Sequence, residues 1–146
     1  MVNQVTTDLG AIGNVQGDVA EDLFRRHVAQ LLGERGILID RVDTHLKTPH
    51  AEYDIVAANG EQVVVLEIKN KLTSQDIQHF INVQLPQFKK EFPSFVHYKL
   101  YGAVGSLIVH EQLERQAAKA GLFVFTQSHK GGASIANKDN FQARVF

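Results

Sequence analysis

The chain contains no cysteine, and this absence excludes disulfide bonds and cysteine-ligated zinc sites. It also lacks an apolar run of the roughly 18–20 residues that a membrane-spanning helix requires. Its first residues include no basic segment followed by a long apolar run, so we expect no signal peptide. The formal net charge is only -1, which argues against a polybasic protein that binds nucleic acid through bulk electrostatics. Together these absences predict a cytoplasmic protein with no membrane partner.

Length and composition fit one globular domain. Hydrophobic residues make up 44% and charged residues 21% of the 146 residues, which suits a core that folds unaided. No internal repeat or change in composition divides the chain, so we predict a single domain over residues 1–146. Residues 1–14 have no clear period and predict a loose lead-in. Residues 127–146 form a C-terminal extension, whose alternating end, Phe141–Phe146, predicts an edge strand or a partner contact.

Hydrophobic periodicity predicts alternating helices and strands. From about Gly17 to Gly33, apolar residues recur three and four positions apart, as on one face of a helix. Further helices are predicted at about 74–92, with a kink at Pro86, and at 111–120. Strands are predicted at 37–46, 52–57, 62–69, 98–109 and 122–126. This order predicts an α/β fold with a mixed central β-sheet flanked by helices, in which the last two strands are parallel.

The segment AEYDIVAANGEQVVVLEIKNKL concentrates ionisable residues on an apolar frame. Asn59-Gly60 between two apolar runs predicts a tight hairpin turn, because both residues tolerate positive φ. Asp54 lies in the first strand, and Glu67 and Lys69 end the second. Because side chains alternate along a strand, Glu67 and Lys69 share one face, and hairpin pairing brings Asp54 beside them. Such charges are costly to bury unless they pair or bind a ligand.

Two carboxylates on adjacent strand ends suit a hard divalent cation such as Mg²⁺, which prefers oxygen ligands. Asp54 and Glu67 would supply these oxygens, and the backbone carbonyl of Ile68 would add another. A bound cation neutralises phosphate charge and lowers the pKa of a coordinated water. Lys69 would orient or deprotonate that water and stabilise charge on the phosphate. The pattern therefore indicates metal-assisted hydrolysis of phosphodiester bonds.

The same residues resemble the PD-(D/E)XK nuclease superfamily, whose signature is an acid on the second core strand and (D/E)-x-K on the third. Asp54 matches the acid, and Glu67-Ile68-Lys69 matches the second half of the signature. Glu21 occupies the place of a glutamate that many of these families carry on the first helix. The resemblance covers about residues 15–126 and extends to uncharacterised bacterial members of the superfamily.

This resemblance implies a restriction-endonuclease-like core and a metal-dependent endonuclease that acts on nucleic acid, with DNA as the expected substrate. Glu21, Asp54 and Glu67 would hold Mg²⁺ or Mn²⁺, and Lys69 would assist the attacking water. A homodimer is expected, because a small nuclease that cuts both strands of a duplex needs two sites.

Two further residues are candidates for nucleic-acid contact. Gln84 matches a glutamine that some subfamilies carry on the next helix, where it contacts DNA or the site. Lys71 is a candidate phosphate contact just beyond the strand. The sequence also departs from the family pattern, since Tyr53 rather than proline precedes Asp54. Phe88 stands where a tyrosine would follow Gln84.

Alternative interpretations remain open for each candidate. Asp54, Glu67 and Lys69 would also be explained by a cross-strand ion pair, and Glu21 by a surface acid at the positive end of a helix. Lys71 is equally explained as a solvated lysine. The seven histidines show no metal-ligand spacing, and we interpret them as surface or packing residues. The alternative function is a non-catalytic binding or assembly module that retains the nuclease fold.

Overall fold

A computed structural model of the chain describes the backbone of residues 4–146 and the side chains of residues 18–146. The elements in order are helix α1 (Gln4–Glu34), strands β1 (Arg41–Lys47), β2 (Glu52–Ala58) and β3 (Gln62–Ile68), helices α2 (Ser74–His79) and α3 (Leu85–Glu91), strand β4 (Lys99–Gly105), helix α4 (Glu111–Lys119), and strands β5 (Phe123–Gln127) and β6 (Ala133–Ile135). A π-helical turn, Phe80–Gln84, joins α2 to α3, and a 3₁₀ turn, Pro93–Phe95, precedes β4. Over this described part, no helix is long and apolar enough to cross a bilayer.

The strands form one mixed sheet in the order β1-β2-β3-β4-β5-β6. Strand β2 is antiparallel to both β1 and β3. Strands β3, β4 and β5 are parallel, and β6 is antiparallel to β5. The short connection through α4 makes β4 and β5 parallel, because such a crossover returns the chain in the same direction. The predicted α/β class, with a mixed sheet flanked by helices, is confirmed.

Helices bury both faces of the sheet in two apolar clusters. On one face, which we call the α1 face, Phe24 and Val28 of α1 pack in a cluster that includes Leu66. On the other, which we call the α3 face, Leu85 and other residues of α2 to α4 pack in a cluster that includes Val65. Because alternate residues of β3 enter different clusters, that strand is aliphatic almost throughout, as strands buried on both faces are.

The turn between β2 and β3 differs in its backbone from the predicted one. Gly60 is not among the described residues with positive φ. Instead, Asn59 Oδ1 accepts hydrogen bonds from the backbone N–H groups of Glu61 (2.8 Å) and Gln62 (2.7 Å). The asparagine side chain therefore closes the turn without a left-handed backbone. The resulting register pairs Ala58 with Val63 and continues toward the ionisable strand ends.

The helical segment after β3 is divided at Pro86, as predicted. Thr73 caps α2 through a capping box, in which its Oγ1 accepts from the Asp76 N–H and Asp76 Oδ2 accepts from the Thr73 N–H. Further along, the N–H of Leu85 donates to the carbonyl of Phe80, five residues earlier. A proline has no N–H and its ring crowds the carbonyl of the preceding turn, so the wider turn accommodates Pro86.

The structure revises two predicted segments at the ends of the chain. Helix α1 begins at Gln4, so helical backbone covers most of the segment predicted as a loose lead-in, whose residues 1–3 lie outside the described part. Once a helix has nucleated, each residue that extends it adds one hydrogen bond. The helix therefore continues through a segment whose apolar residues show no clear period.

The predicted edge strand at Phe141–Phe146 is not present, and the C-terminal extension instead supplies β6 as one edge of the sheet. The alternative prediction of a partner contact at Phe141–Phe146 stays a prediction. The final segment makes isolated backbone hydrogen bonds, from the Arg144 N–H to the Gly121 carbonyl and from the Phe146 N–H to the Leu100 carbonyl. Its alternating apolar residues instead pack on the two clusters, Phe141 on the α1 face and Phe146 on the α3 face.

Replacing Gly105 by alanine is expected to lower the free energy of unfolding by about 1–3 kcal/mol, because the interior there is already filled. A Cβ atom at this position would lie 2.9 Å from Phe24 Cε2 and 3.2 Å from Phe125 Cβ. Gly60→Ala is the matched control, because a Cβ there meets no atom within 4 Å. Urea denaturation measures both variants, and equal stabilities would contradict the close approach at Gly105.

Candidate active site

Asp54 and Glu67 meet where the β2–β3 ladder ends. Ile55 pairs with Leu66 in that ladder, so its register places Asp54 opposite Glu67. Asp54 Oδ2 accepts a hydrogen bond from the backbone N–H of Ile68 at 2.8 Å, which turns this carboxylate toward β3. Glu67 is only 8% exposed. The predicted proximity of the two acids is therefore present, and one of them is almost wholly buried.

The environment of Glu67 strongly favours its protonated form. Burial raises the pKa of the Glu67 carboxyl from 4.5 to about 9, and the negative charge of Asp54 and a hydrogen bond that protonated Glu67 donates to Asp54 add to this shift. The positive charge of Lys69 and a hydrogen bond from Gln84 lower the same pKa by less. Two carboxyl groups in contact cannot easily both be ionised, so the pair needs a positive partner, either a proton or a cation.

Lys69 lies two residues after Glu67, just past the end of β3, and remains accessible to solvent. Its side chain is 40% exposed, and Nζ lies 4.0 Å from Asp76 Oδ1. Asp76 is itself fixed by the capping box of α2. The backbone N–H of Lys69 donates to the Gly105 carbonyl, which ties the end of β3 to β4. An ammonium group is thus held beside the acid pair, with one edge open to an incoming ligand.

Gln84 reaches the acid pair from the π-helical turn. Its Nε2 donates a hydrogen bond to Glu67 Oε2, at 2.5 Å. Its backbone carbonyl accepts a hydrogen bond from the Tyr53 hydroxyl at 2.8 Å. Burial, with the negative charges of Glu91 and Glu67, raises the pKa of Tyr53 to about 12, so this hydroxyl keeps its proton and remains a donor. The tyrosine at the first position of the motif therefore anchors the turn that orients Glu67.

Tyr53→Phe is expected to lower the free energy of unfolding by about 1 kcal/mol, because a buried hydrogen bond is lost and the Gln84 carbonyl loses a partner. Tyr53 is 1% exposed, so water cannot readily replace the hydroxyl. Tyr98→Phe, at a half-buried tyrosine before β4, is the control and is expected to change stability by less than about 0.5 kcal/mol. Thermal denaturation measures both, and an unaltered Tyr53→Phe protein would show that this hydrogen bond contributes no stability.

Glu21 approaches the site from α1, and His45 holds it. The Glu21 side chain is 19% exposed, and its Oε1 lies 2.6 Å from His45 Nε2. Burial raises the pKa of Glu21, and the charge of Asp54 adds to this, while His45 opposes it. Glu21 is thus close enough to Asp54 for their charges to interact, but its nearest partner is a histidine that we interpreted as a surface or packing residue.

The Asp54–Glu67 pair fits a hard divalent cation by the chemistry of its donors. Each carboxyl group has one oxygen fixed by an N–H donor, from Ile68 or Gln84, and the two groups share a hydrogen bond that a bound cation would replace. Burial is the main cause of the raised pKa of Glu67 and the charge of Asp54 adds to it, so a bound cation would replace the proton of the pair. Among residues 18–146, however, no three His, Cys, Asp or Glu side chains are placed to hold one ion. The three predicted ligand side chains, Glu21, Asp54 and Glu67, therefore do not converge on a single point.

The other predicted residues take different positions. Ile68 is half-buried on the α1 face, opposite the face to which Glu67 points, as strand alternation predicts. Lys71 is exposed just beyond β3 and does not enter the acid pair. Gln84 does enter it, through Glu67. A role of Gln84 or Lys71 in binding nucleic acid stays a prediction.

Three residues at the site were not assigned to it from the sequence. Asp76 had a detectable signal, because Thr73-x-x-Asp76 is a capping box that begins next to Glu67 and Lys69. Tyr53 was noted only as a departure from a motif. His45 had no signal, since its contact with Glu21 depends on how α1 packs across the sheet.

The geometry thus consists of a buried carboxyl pair, an adjacent ammonium group, and a third acid held at its margin. A scan against protein-family models finds no matching family, and a search of curated proteins finds no significant match.

Proposed function

We propose that the protein is a metal-dependent nuclease that hydrolyses phosphodiester bonds, with DNA as its substrate. The observation that carries this proposal is the buried Asp54–Glu67 pair, with the Glu67 pKa raised to about 9, beside the exposed ammonium of Lys69. The order of three antiparallel strands followed by parallel pairing supports a restriction-endonuclease-like core. With the Asp54 and Glu67-x-Lys69 spacing, it supports placing the chain in the PD-(D/E)XK superfamily.

In this proposal, Asp54 and Glu67 would hold Mg²⁺ or Mn²⁺, and the Ile68 carbonyl and Glu21 would add further oxygen ligands. Such a cation would neutralise phosphate charge and make a coordinated water easier to deprotonate. Lys69 would orient the attacking water and stabilise the negative charge that develops as the bond from phosphorus to the leaving oxygen breaks.

The surrounding residues prepare this chemistry. Gln84 keeps the Glu67 carboxylate in one orientation through its amide N–H. Asp76, fixed at the start of α2, places a negative charge 4.0 Å from Lys69 Nζ. Such preorganisation matters because a misplaced ligand or lysine loses much of its effect on the rate. Lys71 is exposed beyond the strand end, and we assign it as a contact for a substrate phosphate.

A homodimer fits this function, because cleavage of both strands of a duplex needs two active sites. Size-exclusion chromatography with light scattering is expected to give twice the mass of the 16.3 kDa chain. A monomer would instead favour single-stranded or branched substrates, which one site cleaves.

The proposal is tested by incubating the protein with supercoiled plasmid, single-stranded DNA, branched DNA and RNA, each with Mg²⁺, Mn²⁺ or EDTA. We expect cleavage of DNA only with a divalent cation, and none by Glu67→Ala protein prepared in the same way. Calorimetric titration with Mn²⁺ accompanies the assay. If no substrate is cleaved and Mn²⁺ does not bind at millimolar concentration, the nuclease proposal is wrong and a non-catalytic module is favoured.

A further inference from the structure

His45 has a left-handed backbone conformation, which is uncommon for residues other than glycine. Its φ is 53°, and it is the only non-glycine residue with positive φ among those that the structure describes. The left-handed region costs an L-residue with a β-carbon roughly 1–2 kcal/mol. Strain of this kind persists only where surrounding contacts determine it, and it is frequent at functional sites.

The strained residue lies on the strand next to Asp54, one member of the acid pair. In the β1–β2 ladder Thr44 pairs with Ile55 and Leu46 with Tyr53, so His45 stands opposite Asp54. The strand changes sides at this point. Val42 packs on the α1 face but Leu46 on the α3 face, although alternation would place both on one side. The left-handed residue therefore inverts the pleat of β1 beside Asp54.

The same inversion directs the His45 ring toward α1. Its Nε2 lies 2.6 Å from Glu21 Oε1, whereas its Nδ1 is 3.4 Å from Glu52 Oε1, which is long for a hydrogen bond. The Glu21 contact is therefore the stronger of the two. The histidine side chain is 56% exposed, so burial does not account for its position.

Glu21 needs such a partner, because its carboxylate is close enough to that of Asp54 for their charges to interact. It lies on α1, and Asp54 lies on β2 with its carboxylate turned toward β3. The two negative charges repel each other, and a ring N–H donor at 2.6 Å offsets that repulsion and fixes the side chain.

We propose that His45 is a positioning residue, whose left-handed backbone aims its ring at Glu21 and thereby keeps this carboxylate at the margin of the Asp54–Glu67 pair, from which it joins the cation site when a cation binds. This inference rests on the proposed function, since it assigns Glu21 to the same cation site. His45 acts through Glu21 and touches neither the cation nor the substrate.

The test is a double-mutant cycle in which the full-length protein is titrated with Mn²⁺ in a calorimeter. The variants are His45→Ala, Glu21→Gln and the combination of the two. We expect His45→Ala to weaken Mn²⁺ binding about tenfold, since losing a residue that orients a ligand typically costs 10–100-fold in metal affinity. In the Glu21→Gln background, the same change is expected to have no further effect.

A second variant separates positioning from a purely structural role. Asparagine tolerates the left-handed backbone but is too short to reach Glu21. His45→Asn is therefore expected to match the wild type in urea denaturation and yet to weaken Mn²⁺ binding as much as His45→Ala. His50→Ala, at an exposed histidine in the following loop, is the control and is expected to leave both quantities unchanged.

Each remaining outcome has a distinct meaning. Equal losses from His45→Ala with and without Glu21 would overturn the positioning role, while leaving the cation site intact. Wild-type affinity in His45→Asn would overturn it as well. If the wild-type protein itself binds no Mn²⁺, the proposed function fails and this inference fails with it.

Discussion

Lys69→Ala is expected to slow metal-dependent DNA cleavage at least about a hundredfold, the lower range for losing a group that stabilises charge in the transition state. Lys69 is not a cation ligand in the proposed site, so Mn²⁺ affinity is expected to stay within about threefold of the wild-type value. Glu67→Ala is expected to lose both DNA cleavage and Mn²⁺ binding, because it removes a proposed ligand and one member of the buried pair. Cleavage rates under single-turnover conditions and calorimetric dissociation constants measure the two effects separately.

Lys71→Ala is the matched control for this comparison. Lys71 lies two positions beyond Lys69 and is exposed, so its removal takes away the same charge without touching the acid pair. We expect its effect to appear mainly in substrate affinity and to grow weaker at high salt, as for a phosphate contact. If Lys69→Ala and Lys71→Ala slow cleavage equally, the assignment of Lys69 to catalysis is wrong.

Without divalent cations, the buried Glu67 carboxyl is expected to destabilise the folded protein more strongly as pH rises. The pKa of its carboxyl is about 9 in the folded protein, against an ordinary value of 4.5. Between these values the folded chain binds a proton that the unfolded chain has released. The free energy of unfolding therefore falls as pH rises through this range, by up to about 1.4 kcal/mol per pH unit for one proton.

Glu67→Gln isolates this contribution from all other titrating groups. Glutamine keeps an oxygen for the Gln84 hydrogen bond and carries no charge, so the variant is expected to exceed the wild type in stability by at least about 2 kcal/mol at pH 8. Near pH 4 the two proteins are expected to be similar, because Glu67 is protonated in both states. Urea denaturation in EDTA across pH 4–9 measures the difference.

Saturating Mn²⁺ provides the control for the pH dependence. A cation that binds the pair takes over from the shared proton, so the wild-type protein is expected to gain stability with Mn²⁺ most strongly above pH 7. A constant difference between Glu67→Gln and wild type from pH 4 to 9 would show that the Glu67 carboxyl is not protonated in the folded protein at neutral pH.

Local rules were sufficient for the hairpin and for the first two site residues. Asn59 closes the turn, the turn sets the register, and the register places Asp54 opposite Glu67. These steps involve neighbours in sequence and the alternation of side chains along strands, which are visible without a structure. The predicted left-handed backbone is nevertheless absent from this turn, because hydrogen bonds to the Asn59 side chain close it instead.

The contacts with Gln84 and Glu21 could not be predicted in the same way. Gln84 reaches Glu67 only because the helix widens by a π-helical turn before Pro86, and the Tyr53 hydroxyl holds that turn. Glu21 comes from the opposite face of the sheet. Its partner was hidden by two features that sequence patterns do not encode, the left-handed backbone of His45 and the inverted pleat of β1.

The sequence alone specifies an α/β fold, a hairpin, and a carboxyl pair with a lysine beside it, because these follow from periodicity, turn chemistry and side-chain alternation. Only the tertiary structure decides that Glu67 is buried to 8% exposure with a pKa near 9. It also decides that His45 joins Glu21 to the margin of the site. The reason is physical: desolvation and the approach of α1 depend on how distant segments pack, and no local pattern records the space that they leave.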